Sequence, residues 1–337
     1  MTNQKEIILT GIKPTGQPHL GNYIGAIKPI IEMSKTQKCF VFIADLHALN
    51  AVRDPLAIRR HTTDIAAAFI SLGLNLDNCV FFRQSDLPQV QRLSSLLMNI
   101  TPKGLMNRAH AYKALVDKNI AGGADPDAGV NMGLYTYPIL MAADILLYNS
   151  TLVPVGQDQK QHIEFARDIA GSFNSIYGDI LTLPEPYITA EAAVIPGLDG
   201  RKMSKSYGNT IPLFAPQAEL KKKIMQIITD SKLPSEPKDP DSSTIFQLYS
   251  HFAGPASIAA FRKKFTDGGM GYGDAKNILL EAVDSFLAKP RAEYDRLAAN
   301  PGELEDILSA GAARAREAAQ KTLAGVETAM LGRSIKQ

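Results

Sequence analysis

Short apolar runs alternate with helix-length amphipathic stretches through the first hundred residues, which predicts an α/β chain built on a doubly wound parallel sheet. The strand pattern disappears after Pro212 and Pro216, and the rest reads as helix. A glycine-bearing turn follows the first apolar run directly, at the place where such sheets open their ligand crevice. The 337 residues therefore divide into a sheet-based part, residues 1–206 with a mostly helical insertion at about 101–191, and an all-helical part, residues 207–337.

The elements follow in order. Glu6 to Ile12 is a buried strand ended by Gly11, Pro14 and Gly16. Leu20 to Ser34 is helical, with Ile24, Ile27 and Ile31 on one face, and Pro29 should kink or split it. Phe40 to Ala44 is a second strand. Asp54-Pro55 pairs a capping side chain with a first-turn proline and opens a helix to about Leu72. Val80 to Phe82 is a third strand, followed by a helix from about Gln89 to Asn99. Beyond Thr101 the pattern is mostly helical, interrupted by Gly122-Gly123 and Asp125-Pro126, with a helix from Pro138 to Tyr148. A strand from Thr151 to Val155 leads through Gly156 into another helix. In the last part, Ile278, Ala282 and Phe286 form one helical stripe, and Leu233 to Pro240 is a loop.

Composition narrows the classes. Hydrophobic residues at 45% and charged residues at 21% fit a globular protein, and Lys+Arg 36 against Asp+Glu 34 gives a net charge of only +2. Attraction to a polyanion must then come from local patches. Cys39 and Cys79 each open an apolar run and read as buried strand thiols, too few for a disulfide framework or a cysteine-rich metal site. The N-terminal residues lack a signal-peptide core, and no apolar run is long enough to span a bilayer, so the expectation is a cytoplasmic protein without a membrane partner.

Two stretches carry chemistry. Pro14-Thr15-Gly16-Gln17-Pro18-His19-Leu20-Gly21-Asn22 forms a strand-turn-helix junction, whose exposed backbone N–H groups favour anions. His19 can donate to a phosphate oxygen, and Gly21 lets a planar base approach the backbone. Taken alone, the stretch reads more simply as a turn with a capping histidine. Lys202-Met203-Ser204-Lys205-Ser206 places two ammonium groups, two hydroxyls and several N–H donors on one segment between Gly200 and Gly208. Alone, it is a solvated turn. Together in one α/β chain the two are a pair suited to polyphosphate.

That pair resembles the signature motifs of class I aminoacyl-tRNA synthetases, with Asn22 in the last place of the first motif and residues 202–206 matching the second letter for letter. Residues 136–148 and 153–164 are similar to the tryptophanyl-tRNA synthetase family, of bacterial type, and the resemblance spans the chain from Ile8 onward. It implies a Rossmann-like catalytic domain followed by a helical anticodon-binding domain. It also implies ATP-dependent attachment of L-tryptophan to tRNA(Trp) through an adenylate, and a homodimer, for whose apolar surface residues 80–150 are a candidate region.

The resemblance assigns His19, Lys202 and Lys205 as catalytic. It places Lys13, Pro14, Thr15, Gly21, Asn22, Gly156, Gln157, Asp158, Ile195, Met203, Ser204 and Ser206, with both lysines, around ATP, which brings Mg²⁺ on its own oxygens, with no tightly bound metal. Tyr137, Met141, Asp144, Val153, Val155, Gln159 and His47 surround tryptophan. The chemistry agrees. Met141 and Asp144 stand three apart on a helix and face the same way. A thioether suits an aromatic ring, and a carboxylate suits the indole N–H, which only donates. Asp144 as a structural charge paired elsewhere is the plainer reading of that residue, and core packing alone explains Val153 and Val155. Lys13 stands where the family often has glutamine, and Leu9 where an aromatic is common. Lys221-Lys222-Lys223 and Arg262-Lys263-Lys264 are phosphate contacts for tRNA or solvated helix faces. A tyrosyl relative, a nucleotidyltransferase on the same nucleotide site and a non-enzymatic tryptophan sensor are the competing readings.

Overall fold

A computed structural model describes residues 6–156, 159–188 and 194–333. Five parallel strands, β1 (Ile7–Ile12), β2 (Lys38–Ile43), β3 (Cys79–Arg83), β4 (Leu152–Pro154) and β5 (Glu185–Tyr187), form one sheet in the order β3-β2-β1-β4-β5. The first three strands walk outward from β1, and the chain then returns to its other side for β4. The order therefore reverses between β1 and β4, and a crevice opens beyond their carboxyl ends.

Strand alternation decides what the two faces bury. Ile8, Cys39, Val41, Ile43 and Phe81 enter one core, shared with Ile24 and Ile27 and with helices of the last third of the chain. Leu9, Phe40, Phe42, Val80 and Phe82 enter the other, shared with Ile139, Leu146, Ile163 and Phe173. Both faces are covered, as a parallel sheet requires. Both cysteines are free and buried, and burial pushes the Cys39 thiol up to about 11.

The expected early elements are present. Asp54 caps the helix Pro55–Ser71 by accepting from the Leu56 N–H at 2.9 Å. Helix Leu20–Asn22 runs through a π-helical turn, Tyr23–Ile27, into helix Lys28–Ser34, with Pro29 in its first turn. The widened turn lies where the missing N–H of Pro29 would otherwise interrupt a regular α ladder.

Two features depart from the sequence expectation. β5 was not foreseen: it is three residues long, centres on Pro186 and sits at the sheet edge, where a proline is tolerated. The strand expected from Thr151 to Val155 is present as β4, so that with β5 two of the five strands come from within residues 101–191. In helix Tyr272–Ala299 the buried stripe is Ala275, Leu279, Val283 and Leu287, one position on from the stripe read at Ile278, Ala282 and Phe286. Ile278 and Ala282 flank the core, and Phe286 is 36% exposed while its ring lies 5.3 Å from Tyr23.

The last helix, Pro301–Leu331, returns to the sheet and lies on β3. A Cβ on Gly311 would stand 1.7 Å from the Phe81 carbonyl oxygen, so only glycine permits this approach. Arg92 meets the fully buried Glu327 at 2.5 Å. None of the described helices is long and apolar enough to cross a membrane.

Candidate active site

The turn after β1 is held by the Thr15 N–H donating to the Lys13 carbonyl at 2.9 Å, and Gly16 takes φ +133°, open only to glycine. A Cβ on Gly16 would lie 2.9 Å from the Lys205 Nζ, so the lysine reaches back across the turn. His19 then caps the following helix. Its Nδ1 accepts from the Asn22 N–H at 3.2 Å, while Asn22 Oδ1 accepts from the His19 N–H at 3.2 Å. Asn22, in the motif's final place, thus closes a reciprocal cap. An accepting Nδ1 leaves the proton on Nε2, which is then the ring's donor. Burial, with Lys205 adding to it, lowers the His19 pKa to about 4, so the ring is neutral.

The chain joins its two motifs through backbone pairing. The Leu20 N–H donates to the Ile211 carbonyl at 2.9 Å, and the Leu213 N–H donates to that of Pro18 at 3.0 Å. Gly21 donates to the Met203 Sδ at 3.2 Å, and a Cβ there would lie 3.2 Å from the Met203 Cβ. Met203 is buried, with its N–H bonded to the Ile195 carbonyl at 2.8 Å, so the apolar member of the lysine pentapeptide anchors it. Gly200 and Gly208, at φ +78° and +64°, supply the left-handed turns at either end. Lys202, Lys205 and Ser206 remain exposed, and the Ser204 and Ser206 hydroxyls lie 2.8 Å apart. Desolvation lowers the Lys205 pKa, opposed by the charge of Asp64.

Asn209 organises this loop and escaped sequence reading. It is 3% exposed. Its Oδ1 accepts from the Ser204 N–H at 2.8 Å, and its Nδ2 donates to Asp199 at 2.6 Å and to the Lys202 carbonyl at 3.1 Å. A lone Asn past a glycine gives no sequence signal of its own. Only the fold reveals that it crosses back beneath the pentapeptide.

The second half of the site lies on the other side of β1. Asp144, on helix Tyr137–Leu146, is 2% exposed. Its Oδ2 is 2.8 Å from the His47 Nε2, and the Gln84 Nε2 donates to Oδ1 at 3.0 Å and to Oδ2 at 2.8 Å. Burial pushes the carboxyl pKa up, and these hydrogen bonds oppose it. The expected alternative, that Asp144 is paired within the protein, is therefore part of its environment. A carboxylate offers about four acceptor positions, and those contacts occupy three. The His47 Nδ1 is also buried without a hydrogen-bond partner. Gln84, fully buried at the end of β3, is the second residue that sequence reading missed; its place beyond a strand's carboxyl end was the available signal.

Tyr137 forms the wall. Its ring meets His47 edge-on at 4.8 Å and His162 at 5.2 Å, and its hydroxyl donates to the Met141 Sδ at 3.6 Å. Burial raises its pKa to about 12. Lys13, expected beside ATP, has its Nζ 4.6 Å from the centre of that ring, toward the amino-acid side. Packing there lowers the Lys13 pKa. Val153 and Val155 are buried in the core beneath, Gly156 follows them at the crevice, and Gln159, expected beside tryptophan, is exposed at the start of helix Lys160–Tyr177. Gln157 and Asp158 lie outside the described residues.

The pocket and the clamp thus flank the turn after β1. A sequence model of the class I tRNA synthetases (W and Y) matches residues 1–288. The chain is 51% identical over 335 residues to the tryptophan–tRNA ligase of Pseudomonas aeruginosa, spanning 98% of this chain and 75% of that one. It is 54% identical to the enzyme of the same name from Bordetella parapertussis, over 93% of this chain and 70% of that one. Among solved structures, tryptophanyl-tRNA synthetase from Campylobacter jejuni, complexed with ADP and tryptophan, superposes with a TM-score of 0.86 at 41% identity, covering 95% and 98% of the two chains. The fold, both motifs and these likenesses place the chain in the class I tRNA synthetase family, on its tryptophanyl branch.

Proposed function

We propose that this chain activates L-tryptophan with ATP and transfers it to tRNA(Trp), releasing AMP and pyrophosphate. The observation that carries this reading is the juxtaposition of a buried carboxylate pocket and a glycine-hinged lysine loop on opposite sides of one strand end. In the first step the tryptophan carboxylate attacks the α-phosphorus, and the bond to the bridging oxygen of pyrophosphate breaks. In the second, a ribose hydroxyl at the tRNA 3′ end attacks the carbonyl and AMP leaves. No enzyme-linked intermediate is needed, so positioning and charge stabilisation do the catalysis.

The neutral His19 donates from Nε2 to the phosphates. Lys202 and Lys205 take the charge that builds on pyrophosphate, with Ser204 and Ser206 as further donors. Thr15 and Asn22 line the phosphate side, while Pro14, Gly21, Gly156, Ile195 and Met203 border the nucleoside. Mg²⁺ enters with ATP as part of the substrate. Asp144 receives the indole N–H at its remaining acceptor position, with His47 and Gln84 fixing the carboxylate. Tyr137, Met141 and the valines hold the ring. Lys13 stands by the amino-acid carboxylate.

Residues 207–337 form the anticodon-binding part. Lys221, Lys222, Lys263 and Lys264 are exposed and suited to phosphate. Arg262 is already paired with Asp241 at 2.7 Å and stacked on Phe246. A homodimer is supported by Met98, Ile120 and Met132, exposed at 45%, 58% and 68%, and by helix His110–Ala121, which buries none of its residues within one chain. The test is ATP–pyrophosphate exchange with tryptophan, with tyrosine and with neither: exchange that depends on tryptophan supports the reading, and exchange driven by tyrosine overturns it.

A further inference from the structure

Helix Pro55–Ser71 belongs to neither motif, yet it runs beside both. Arg60 lines a cavity of about 450 Å³ together with Gln17, His19, Lys205, Thr210 and two prolines. The polar residues around that space carry a guanidinium, an ammonium, a neutral imidazole, a hydroxyl and an amide; no carboxylate is among them. A wall with two positive charges, neutral donors and no negative charge in its lining fits an anion, and the volume falls in the range of small-ligand sites. The carboxylate whose charge acts on both Arg60 and Lys205 is that of Asp64, one turn on along the same helix and outside the cavity lining.

The neighbours of Arg60 on the same helix tie it to the turn after β1. His61 is held near the Pro14 carbonyl, and its pKa is lowered by burial and by Arg60. Asp64, one turn on, accepts from the Tyr294 hydroxyl at 3.0 Å through Oδ1, and its Oδ2 is buried without a hydrogen-bond partner. The Tyr294 ring in turn stacks on Phe214 at 4.1 Å, just past the segment that pairs with Pro18 and Leu20. The helix is therefore fixed on both sides, which gives Arg60 a defined place at the cavity wall.

We infer that Arg60 is a further substrate-contacting residue, whose guanidinium binds the oxygens of the β,γ-diphosphate together with Lys205 and His19 and stays with that group as it leaves as pyrophosphate. Arg60 makes and breaks no bond. Planar paired donors match two oxygens of a phosphoryl group, which a lysine in the same place does not. This inference rests on the activity proposed above.

The experiment compares wild type with Arg60→Ala and Arg60→Lys. Inorganic pyrophosphate is the varied substrate in tryptophan-dependent exchange, and pyrophosphate is also titrated calorimetrically into the resting enzyme. Because the chain contains no tryptophan (Trp 0), the ligand's own indole fluorescence reports tryptophan binding and checks folding in each variant. Arg60→Ala is expected to raise the KM for pyrophosphate and weaken its calorimetric binding by about 10-fold or more, as loss of a charge-assisted hydrogen bond does. Tryptophan affinity stays unchanged, and Arg60→Lys recovers part of the loss. Pyrophosphate constants within about twofold of wild type overturn the inference, as does an effect confined to the KM for tRNA, which would assign the cavity to an RNA phosphate. Absence of exchange in wild type refutes the proposed activity instead, and the calorimetric arm then still decides whether Arg60 binds pyrophosphate.

Discussion

The two halves of the site are built by opposite means. Around Asp144, recognition is closed: a carboxylate 2% exposed, three hydrogen bonds already in place, and an aromatic wall. Around Lys202 and Lys205, the clamp is open: exposed ammonium groups on a loop with left-handed glycines at both ends, anchored from below by Met203 and Asn209. The difference follows from the ligands. An indole is neutral, rigid and distinguished by one N–H, so selectivity needs a pocket whose polar groups are fixed beforehand. A triphosphate, the proposed ligand of the clamp, is large, charged and mobile, and exposed ammonium groups on a loop flanked by left-handed glycines suit it.

The sharpest way to break this contrast is at Asp144. Asp144→Ala removes the acceptor and strands His47 and Gln84 in the core. Tryptophan-dependent exchange should fall by about a thousandfold or more, and stability should fall by about 3 kcal/mol or more, since truncating one member of a buried charged network is costly. Retained activity with retained stability would mean that the network is ornamental. Lys202→Ala should act differently. The adenylate-forming rate is expected to drop by about 10²- to 10³-fold, as on losing one preorganised charge-stabilising donor, while tryptophan affinity holds. A matched loss of both would erase the distinction between pocket and clamp.

His19 gives a pH test. Its folded pKa, about 4, lies below the ordinary 6.5 because burial and Lys205 disfavour the charged ring. Between those values the unfolded chain binds more protons, so stability is lost as pH falls from about 6.5 toward 4, by up to about 3 kcal/mol from this group. His19→Asn keeps a capping oxygen and removes the titration, so denaturant midpoints measured across that window should fall less steeply than in wild type. Equal slopes would show that His19 is not held neutral. The smallest effect is expected at Asn209→Ala, which should cost about 1–3 kcal/mol and raise the KM for ATP, sharpening the claim that one buried amide orders the clamp from below. An unchanged KM would show that the loop orders itself.

The same contrast explains what was legible in the sequence. The clamp is a local object: Lys202 to Ser206, Gly200 and Gly208 are neighbours in the chain, and paired with the turn at residues 14–22 they suggested an anion-gripping loop. The first three strands were also plain, because buried parallel strands are continuous apolar runs. The pocket is non-local. His47, Gln84 and Asp144 come from the ends of two strands and from a helix, and no periodicity links them; Gln84 went unnoticed for that reason. Arg60 sits on a helix face that reads as solvated. β5 was hidden by Pro186 and its shortness, and the stripe of helix Tyr272–Ala299 was placed one residue early because Ile278 and Phe286 are as apolar as the buried Leu279 and Leu287.

The central claim is that the buried carboxylate of Asp144 reads the indole N–H. It is tested most directly from the ligand side, by comparing ATP–pyrophosphate exchange with tryptophan and with 1-methyltryptophan or the sulfur analogue that lacks the N–H. The account predicts that both analogues lose at least about tenfold in kcat/KM, because an acceptor facing a ring without a donor is left unpaired. It also predicts that Asp144→Asn narrows the gap between tryptophan and its analogues. Equal kcat/KM for tryptophan and the sulfur analogue in wild type would contradict it.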